Sequence, residues 1–313
     1  VILDNSEVNL YKFLKSLEDN NPTNINLYPV LGDATDYNLL KKIFDLYNIN
    51  VIFHAAAYKH VPIVEENPVE GIRNNVLSTL EICKAAYTSK VEKIILISSD
   101  KAVRPTNVMG ASKRLSEMII QGFHEKSKVN FKNKIFSMVR FGNVLGSSGS
   151  VVPLFKKQIT KGGPITITHP EIMRYFMTIS EAAQLVIQAS NLALGGEVFL
   201  LDMGKPVKIL DLANQMINLS GLKKKDSKNK EGDIEIVFTG LRPGEKLYEE
   251  LLIDDESSET EHPLIFKGKE ALIPTKKLWE KIELLQIAIN EKNKDETLKI
   301  LSYLIPEWKT SKI

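Results

Sequence analysis

Short apolar runs rich in β-branched residues recur along the chain, separated by longer stretches with apolar side chains at every third or fourth position. The clearest run is Lys93-Ile94-Ile95-Leu96-Ile97, whose consecutive apolar positions suit a strand buried on both faces. Further strands are predicted at 25–30, 51–57, 134–140, 165–168 and 197–201. Helical spacing covers 9–17, with Leu10, Phe13, Leu14 and Leu17 on one face, and returns at 37–47 and 179–194. Strands and helices that alternate in this way build βαβ units.

The predicted fold class is α/β: a Rossmann-like doubly wound parallel sheet with a smaller C-terminal α/β domain. Residues 1–145 form the sheet domain, completed by about 178–204, and residues 146–177 and 205–313 form the second. The opening is unusual. Val1-Ile2-Leu3-Asp4 reads as the end of a strand, whereas a dinucleotide-binding sheet opens with strand, Gly-rich turn and helix. An acidic residue for the ribose hydroxyls follows roughly twenty positions after the glycines. Asp4 fits that acidic position, and no Gly-x-Gly-x-x-Gly occurs in the chain. The expectation is a fragment that starts inside the second strand, with the first strand and the Gly-rich turn missing.

Reactive groups gather at the end of the central run. Ser98-Ser99-Asp100-Lys101 supplies two hydroxyls, a carboxylate and an amine in succession, and open parallel sheets bind ligands at the carboxyl ends of their strands. Thr106 or Asn107 can cap the next helix, which carries Met109 and Lys113 one turn apart on one face. The 51–57 run ends in Ala55, Ala56 and Ala57, small enough for a dinucleotide backbone to approach, and His54 reads as a packed histidine. Residues 147–153 read as a flexible loop feeding a helix whose N-terminus suits an anion.

A strand ending in Ser, then Met109-x-x-x-Lys113 where Tyr-x-x-x-Lys is usual, resembles the extended short-chain dehydrogenase/reductase family. The word SSDKAVRPTNVMGASKR at 98–114 is similar to nucleotide-sugar 4,6-dehydratases of polysaccharide biosynthesis. It looks most like the large membrane-anchored subgroup with Met at the Tyr position. Residues 138–152, 169–178 and 239–247 extend the resemblance over nearly the whole chain.

That resemblance implies NAD or NADP as cofactor and a UDP-sugar, usually UDP-N-acetylglucosamine, as substrate. Ser99 would hydrogen-bond the C4 hydroxyl, Asp100 would be the acid, Lys101 the base, and Lys113 would hold the nicotinamide ribose. A thioether takes no proton, so a water near Met109, with Lys113 close by, is expected to serve the C4 hydroxyl. Asp33 would meet the adenine amino group or, like Asp36, cap a helix. Lys59 and His60 would lie near the nicotinamide or sugar, and Asn75 is structural or cofactor-side. On the substrate side, Asn143 would touch diphosphate or sugar, or merely make a turn. Ser150 would join it, and Arg174 would contact the substrate or a partner domain. Arg242, in Gly-Leu-Arg-Pro-Gly-Glu-Lys at 240–246, would fork onto the diphosphate, with Glu245 at a turn before a helix.

A 4-epimerase would share fold and cofactor without needing the Asp100-Lys101 pair; an inactive remnant is the non-catalytic alternative. The 313 residues are 43% hydrophobic, enough for a sizeable core, and the net charge of +2 gives no broad field for nucleic acid. Lys223, Lys224, Lys225, Lys228 and Lys230 are interleaved with Asp226 and Asn229 and read as a solvated loop. The single cysteine, Cys83, lies in an apolar helical pattern and excludes an internal disulfide or a multi-cysteine metal site. No apolar run is long enough to cross a membrane. A cytoplasmic place is expected, or the cytoplasmic side of the inner membrane in a longer parent, as is a homo-oligomer.

Overall fold

The computed structural model describes residues 1–19, 25–130, 132–227, 229–250, 257–268, 270 and 273–309. Among them the main sheet runs Ser257–Glu259, Ile265–Gly268, Val198–Leu201, Ile135–Arg140, Lys93–Ile97, Val51–His54. The last four strands are parallel; the first two add on in antiparallel fashion. Successive side chains on a strand point to opposite faces, so each strand feeds two cores. Ile94, Leu96, Phe136, Met138 and Val198 enter one, beneath helices Ser78–Tyr87 and Val108–Val129. Ile95, Val139, Phe199 and Leu201 enter the other, beneath helix Ile179–Leu192.

Strands Ile2–Asp4 and Pro29–Leu31 pair in parallel in a sheet of their own. The strand expected from residue 25 thus begins at Pro29. Helix Glu7–Glu18 lies on this pair and buries only Leu10, leaving Phe13 exposed. Two short strands offer too little surface to cover the full apolar face the sequence predicts. Val51–His54 is an edge of the main sheet among the described residues, with the side chains of Val51 and Phe53 exposed.

A second unit packs Phe155, Ile159, Ile165, Ile172, Ile209 and Ile217 between helices Val151–Thr160 and Ile209–Leu219 and a small parallel sheet. That sheet is Lys224–Lys225, Ile234–Phe238 and Ile165–Ile167, so part of the expected lysine loop is a strand; Lys228 lies outside the described residues. Residues 257–309 depart from the expected division. Strand Ile265–Gly268 joins the main sheet, and helices Thr275–Asn290 and Lys294–Leu304 bury Leu278, Ile282, Leu285 and Leu301 in its first core. Their apolar stripes complete that core, not the core of the second unit. Cys83 is fully buried there, and burial pushes its thiol up. No helix among the described residues is long and apolar enough to cross a membrane.

Candidate active site

Strand Lys93–Ile97 ends in a tight turn at Asp100–Ala102, which Ser99 caps by accepting from Lys101 N at 3.3 Å. Ser98 turns inward and donates to Glu117 Oε1 at 2.6 Å. Ser99 Oγ and Lys101 Nζ both donate to Asp100 Oδ1, at 2.8 and 2.9 Å. Asp100 is 1% exposed, and its Oδ2 is buried with no partner among the described residues. Lys101 also lies 3.6 Å from Glu249. Burial works against the charge on Lys101, but Asp100 and Glu249 outweigh it and hold the amine above its ordinary range.

Asn107, not Thr106, caps the following helix, accepting from Gly110 N at 2.8 Å. Gly110 lets that helix press on the Asp100–Ala102 turn, since a Cβ there would sit 2.2 Å from Lys101 O. Met109 and Lys113 then face a common cleft. Lys113 Nζ donates to Ile97 O at 2.9 Å, and burial lowers its amine to about 8 against the opposing charge of Glu117.

The cleft measures about 480 Å³ and opens at the carboxyl ends of the central strands, a size and place suited to a ligand. It gathers Ala55, Lys59, Ser99, Lys101, Met109 and Lys113 on the sheet side. Asn143, Ser150, Arg174, Arg242 and Glu245 line it on the other. His60 also lines it, with its ring against Gly149.

Asp4, Asp33, Ala56, Asn75 and Asp100 are not in that lining. Asp4 Oδ1 accepts from Ser6 N at 2.7 Å, and Asp33 Oδ1 accepts from Thr35 N and Oγ1, both at 2.8 Å. Both carboxylates therefore brace local turns, and Asp36 is the cap of helix Tyr37–Leu46. Asn75 sits in the π-helical turn Arg73–Leu77 and straps the post-strand loop. Its Oδ1 accepts from Tyr58 N at 2.7 Å, while Nδ2 donates to Tyr58 O at 3.0 Å and Ser112 Oγ at 2.9 Å. His54 is packed, its Nε2 2.9 Å from Thr79 Oγ1, and burial aided by the charge of Lys113 lowers its imidazole to about 3.

On the far wall, Asn143–Val144 pairs with Phe176–Met177, so Asn143 lies on a strand and not in a turn. Ser150 occupies the N-cap position of helix Val151–Thr160 without bonding to it, and its buried hydroxyl has no partner among the described residues. Arg174 donates to the carbonyls of Met173, Lys246 and Leu247 at 2.7, 2.8 and 3.2 Å. Glu245 accepts from Thr168 Oγ1 at 3.1 Å and from Arg242 N at 3.0 Å. The helix expected after Glu245 does not form through Glu250, because Arg174 and Met173 N take the carbonyls that would start it. Thr106 and Asn107 instead donate to Gly244 O, and Lys246 Nζ to Val103 O. The 240–246 word is thereby stapled to the segment that follows the Asp100–Ala102 turn.

Two sets of residues escape sequence reasoning. Behind Ser98, Glu117 accepts from Arg140 Nε at 2.7 Å and lies 3.2 Å from Arg114 Nη1. Glu270 bridges both arginines, and Glu307 lies 3.1 Å from Arg114 Nε. Burial opposes the charge on Glu117, but Arg140 and then Arg114 hold its carboxyl below the usual range. The spacing of Glu117 four positions after Lys113 is its sequence signal, since such residues share a helix face. The other is Glu249, just beyond the 240–246 word.

Known proteins are similar to this chain over most of its length. The family described as polysaccharide biosynthesis protein matches residues 1–270. Capsular polysaccharide biosynthesis protein CapD of Staphylococcus aureus is 47% identical over 303 residues, covering 96% of this chain and 48% of CapD. The chain thus spans about half the length of that relative. A UDP-glucose 4-epimerase of Rickettsia bellii is 36% identical over 83% of this chain and 73% of its own. Among solved structures, Pen from Bacillus thuringiensis superposes with a TM-score of 0.74 at 35% identity, covering 90% of this chain and 88% of Pen. The dTDP-glucose 4,6-dehydratase DesIV from Streptomyces venezuelae, with NAD and TYD bound, gives 0.63 at 18% identity over 74% and 73% of the two chains, a likeness of fold. This chain belongs to the polysaccharide biosynthesis protein family and has the extended short-chain dehydrogenase/reductase fold.

Proposed function

We propose that this chain carries the NAD- or NADP-dependent 4,6-dehydration of a UDP-sugar, UDP-N-acetylglucosamine, to a 4-keto-6-deoxy sugar. The Asp100–Lys101 pair carries the reading: a cleft-lining amine donates to a buried carboxyl at 2.9 Å. Elimination needs an acid for the leaving hydroxyl and a base for a carbon-bound proton. A 4-epimerase needs neither, though the Rickettsia bellii relative keeps that reading as the second.

The cleft suits a nicotinamide. Ala55 and Ala57 leave room at the strand ends, and Ser99, Met109 and Lys113 face the same space. When bound, NAD or NADP would supply the acceptor of the C4 hydride and its donor to C6. Ser99 Oγ orients the C4 hydroxyl. A water beside Met109 passes the hydroxyl proton to Lys113, whose amine near 8 is partly neutral close to neutral pH. With C4 a ketone, H5 is acidic. The shared proton moves to Asp100, the freed Lys101 takes H5, and Asp100 protonates the C6 hydroxyl, which leaves as water. The orphaned Oδ2 of Asp100 is buried beside Gly142, a residue of the cleft lining. Lys101 then returns a proton to C5, and the proton released at C4 replaces the one lost to water. Across the cleft, the Ser150 hydroxyl, the helix N-terminus behind it and Arg242 suit a diphosphate.

Turnover by the full-length protein tests the reading. Lys101→Met should abolish 4-keto product while nicotinamide binding persists; undiminished turnover removes Lys101 from the role.

A further inference from the structure

Glu249 stands behind the catalytic pair, and the elimination above makes no use of it. Its side chain is 4% exposed, with Oε1 3.6 Å from Lys101 Nζ and 3.7 Å from Arg174 Nη2. Oε2 is buried with no partner among the described residues. The segment that carries it is pinned to the catalytic turn at Gly244 and Lys246. A charged Glu249 favours the ammonium form of Lys101 and keeps the shared proton there. A neutral one lets that proton pass to Asp100 and frees Lys101 to take H5.

We propose that Glu249 is a positioning residue that sets which member of the Asp100–Lys101 pair holds the proton, coupling the 240–250 segment to the elimination. The catalytic part of this proposal rests on the dehydratase reading. Lys101 is faced by Asp100 on its own turn, by Glu249 and, farther off, by Arg174. Burial drives the Glu249 carboxyl up, Lys101 draws it down and Asp100 drives it up again; with the weaker pulls of Arg174 and Lys246, it stays above its usual range.

The test uses full-length protein, Glu249→Gln and Glu249→Asp, with two readouts. Acylation of Lys101 by an amine-selective reagent, followed across pH by peptide mass spectrometry, reports the neutral amine without turnover. Glu249→Gln is expected to lower the pH at which Lys101 becomes reactive by about one unit, and Glu249→Asp by less. The limb of the kcat–pH profile belonging to Lys101 is expected to move in the same direction, with KM for the UDP-sugar within about twofold. An unmoved reactivity profile in Glu249→Gln, at a thermal midpoint like that of the parent, overturns the proposal. Should that variant not fold, an unmoved profile in Glu249→Asp does so. A shifted profile in a protein that dehydrates no UDP-sugar upholds the control of Lys101 and sinks the dehydratase reading instead.

Discussion

Lys101 Nζ lies 2.9 Å from Asp100 Oδ1, inside one short turn at the end of the central strand. An acid and a base in direct contact need only one proton between them, and Ser99 on the same oxygen fixes the carboxyl for that exchange. Asp100→Asn keeps the shape and removes the acid. Its kcat for 4-keto product should fall about 10²–10⁴-fold, with nicotinamide binding by fluorescence titration unchanged. A fall below tenfold would place the acid elsewhere.

Lys113 should set an alkaline rise in activity. Its amine is lowered to about 8 by burial, so the neutral form that accepts the C4 hydroxyl proton grows as pH rises through that value. Lys113→Met should flatten the limb. Stability carries the same signature. The folded amine titrates near 8 and the unfolded one near 10.5, so the unfolded chain binds more protons in that window. Stability should rise with pH there, by at most about 1.4 kcal/mol per unit. Denaturant midpoints across the window measure it.

Glu117 should matter to stability more than to chemistry. It is fully buried between Arg140 and Arg114, and a buried cation that loses its partner costs about 3–5 kcal/mol. Glu270, which remains on both arginines, puts the expected cost of Glu117→Gln at about 3 kcal/mol by chemical denaturation. A loss under about 0.5 kcal/mol would mean that Glu270 alone compensates the pair.

Gly110→Ala tests the contact between helix and catalytic turn. The new methyl would meet Lys101 O at 2.2 Å, and overpacking of this kind costs about 1–3 kcal/mol. The backbone of Lys101 must move, so dehydration should fall more than the thermal midpoint suggests. Full activity in a stable variant would show that the turn tolerates displacement.

Much of this was legible in residues whose signal is local. Lys93–Ile97 reads as a two-faced strand because consecutive β-branched and apolar residues permit little else, and Ser99, Lys101, Met109 and Lys113 follow it within one turn and one helix start. Arg174 and Arg242 reach the same cleft from far along the chain, and the resemblance placed them there; no spacing rule could. The misses are tertiary. Leu278 and Ile282 look the same whichever core they enter, so the assignment of 257–309 depended on a strand pairing at Ile265 that local pattern does not encode. Glu249 and Glu117 read as ordinary helix or loop acids until a partner cation arrives from another element. Phe13 shows the converse: an apolar face needs a surface to cover.

Elimination of water from a UDP-sugar by Asp100 and Lys101 can be read out in one reaction. The direct measurement is mass spectrometry of UDP-N-acetylglucosamine incubated with NAD and the full-length protein in deuterium oxide. The expected product is lighter by one water and carries a deuteron at C5, where Lys101 returns the proton. An isomer that has lost no water would contradict it and leave the cleft to epimerisation.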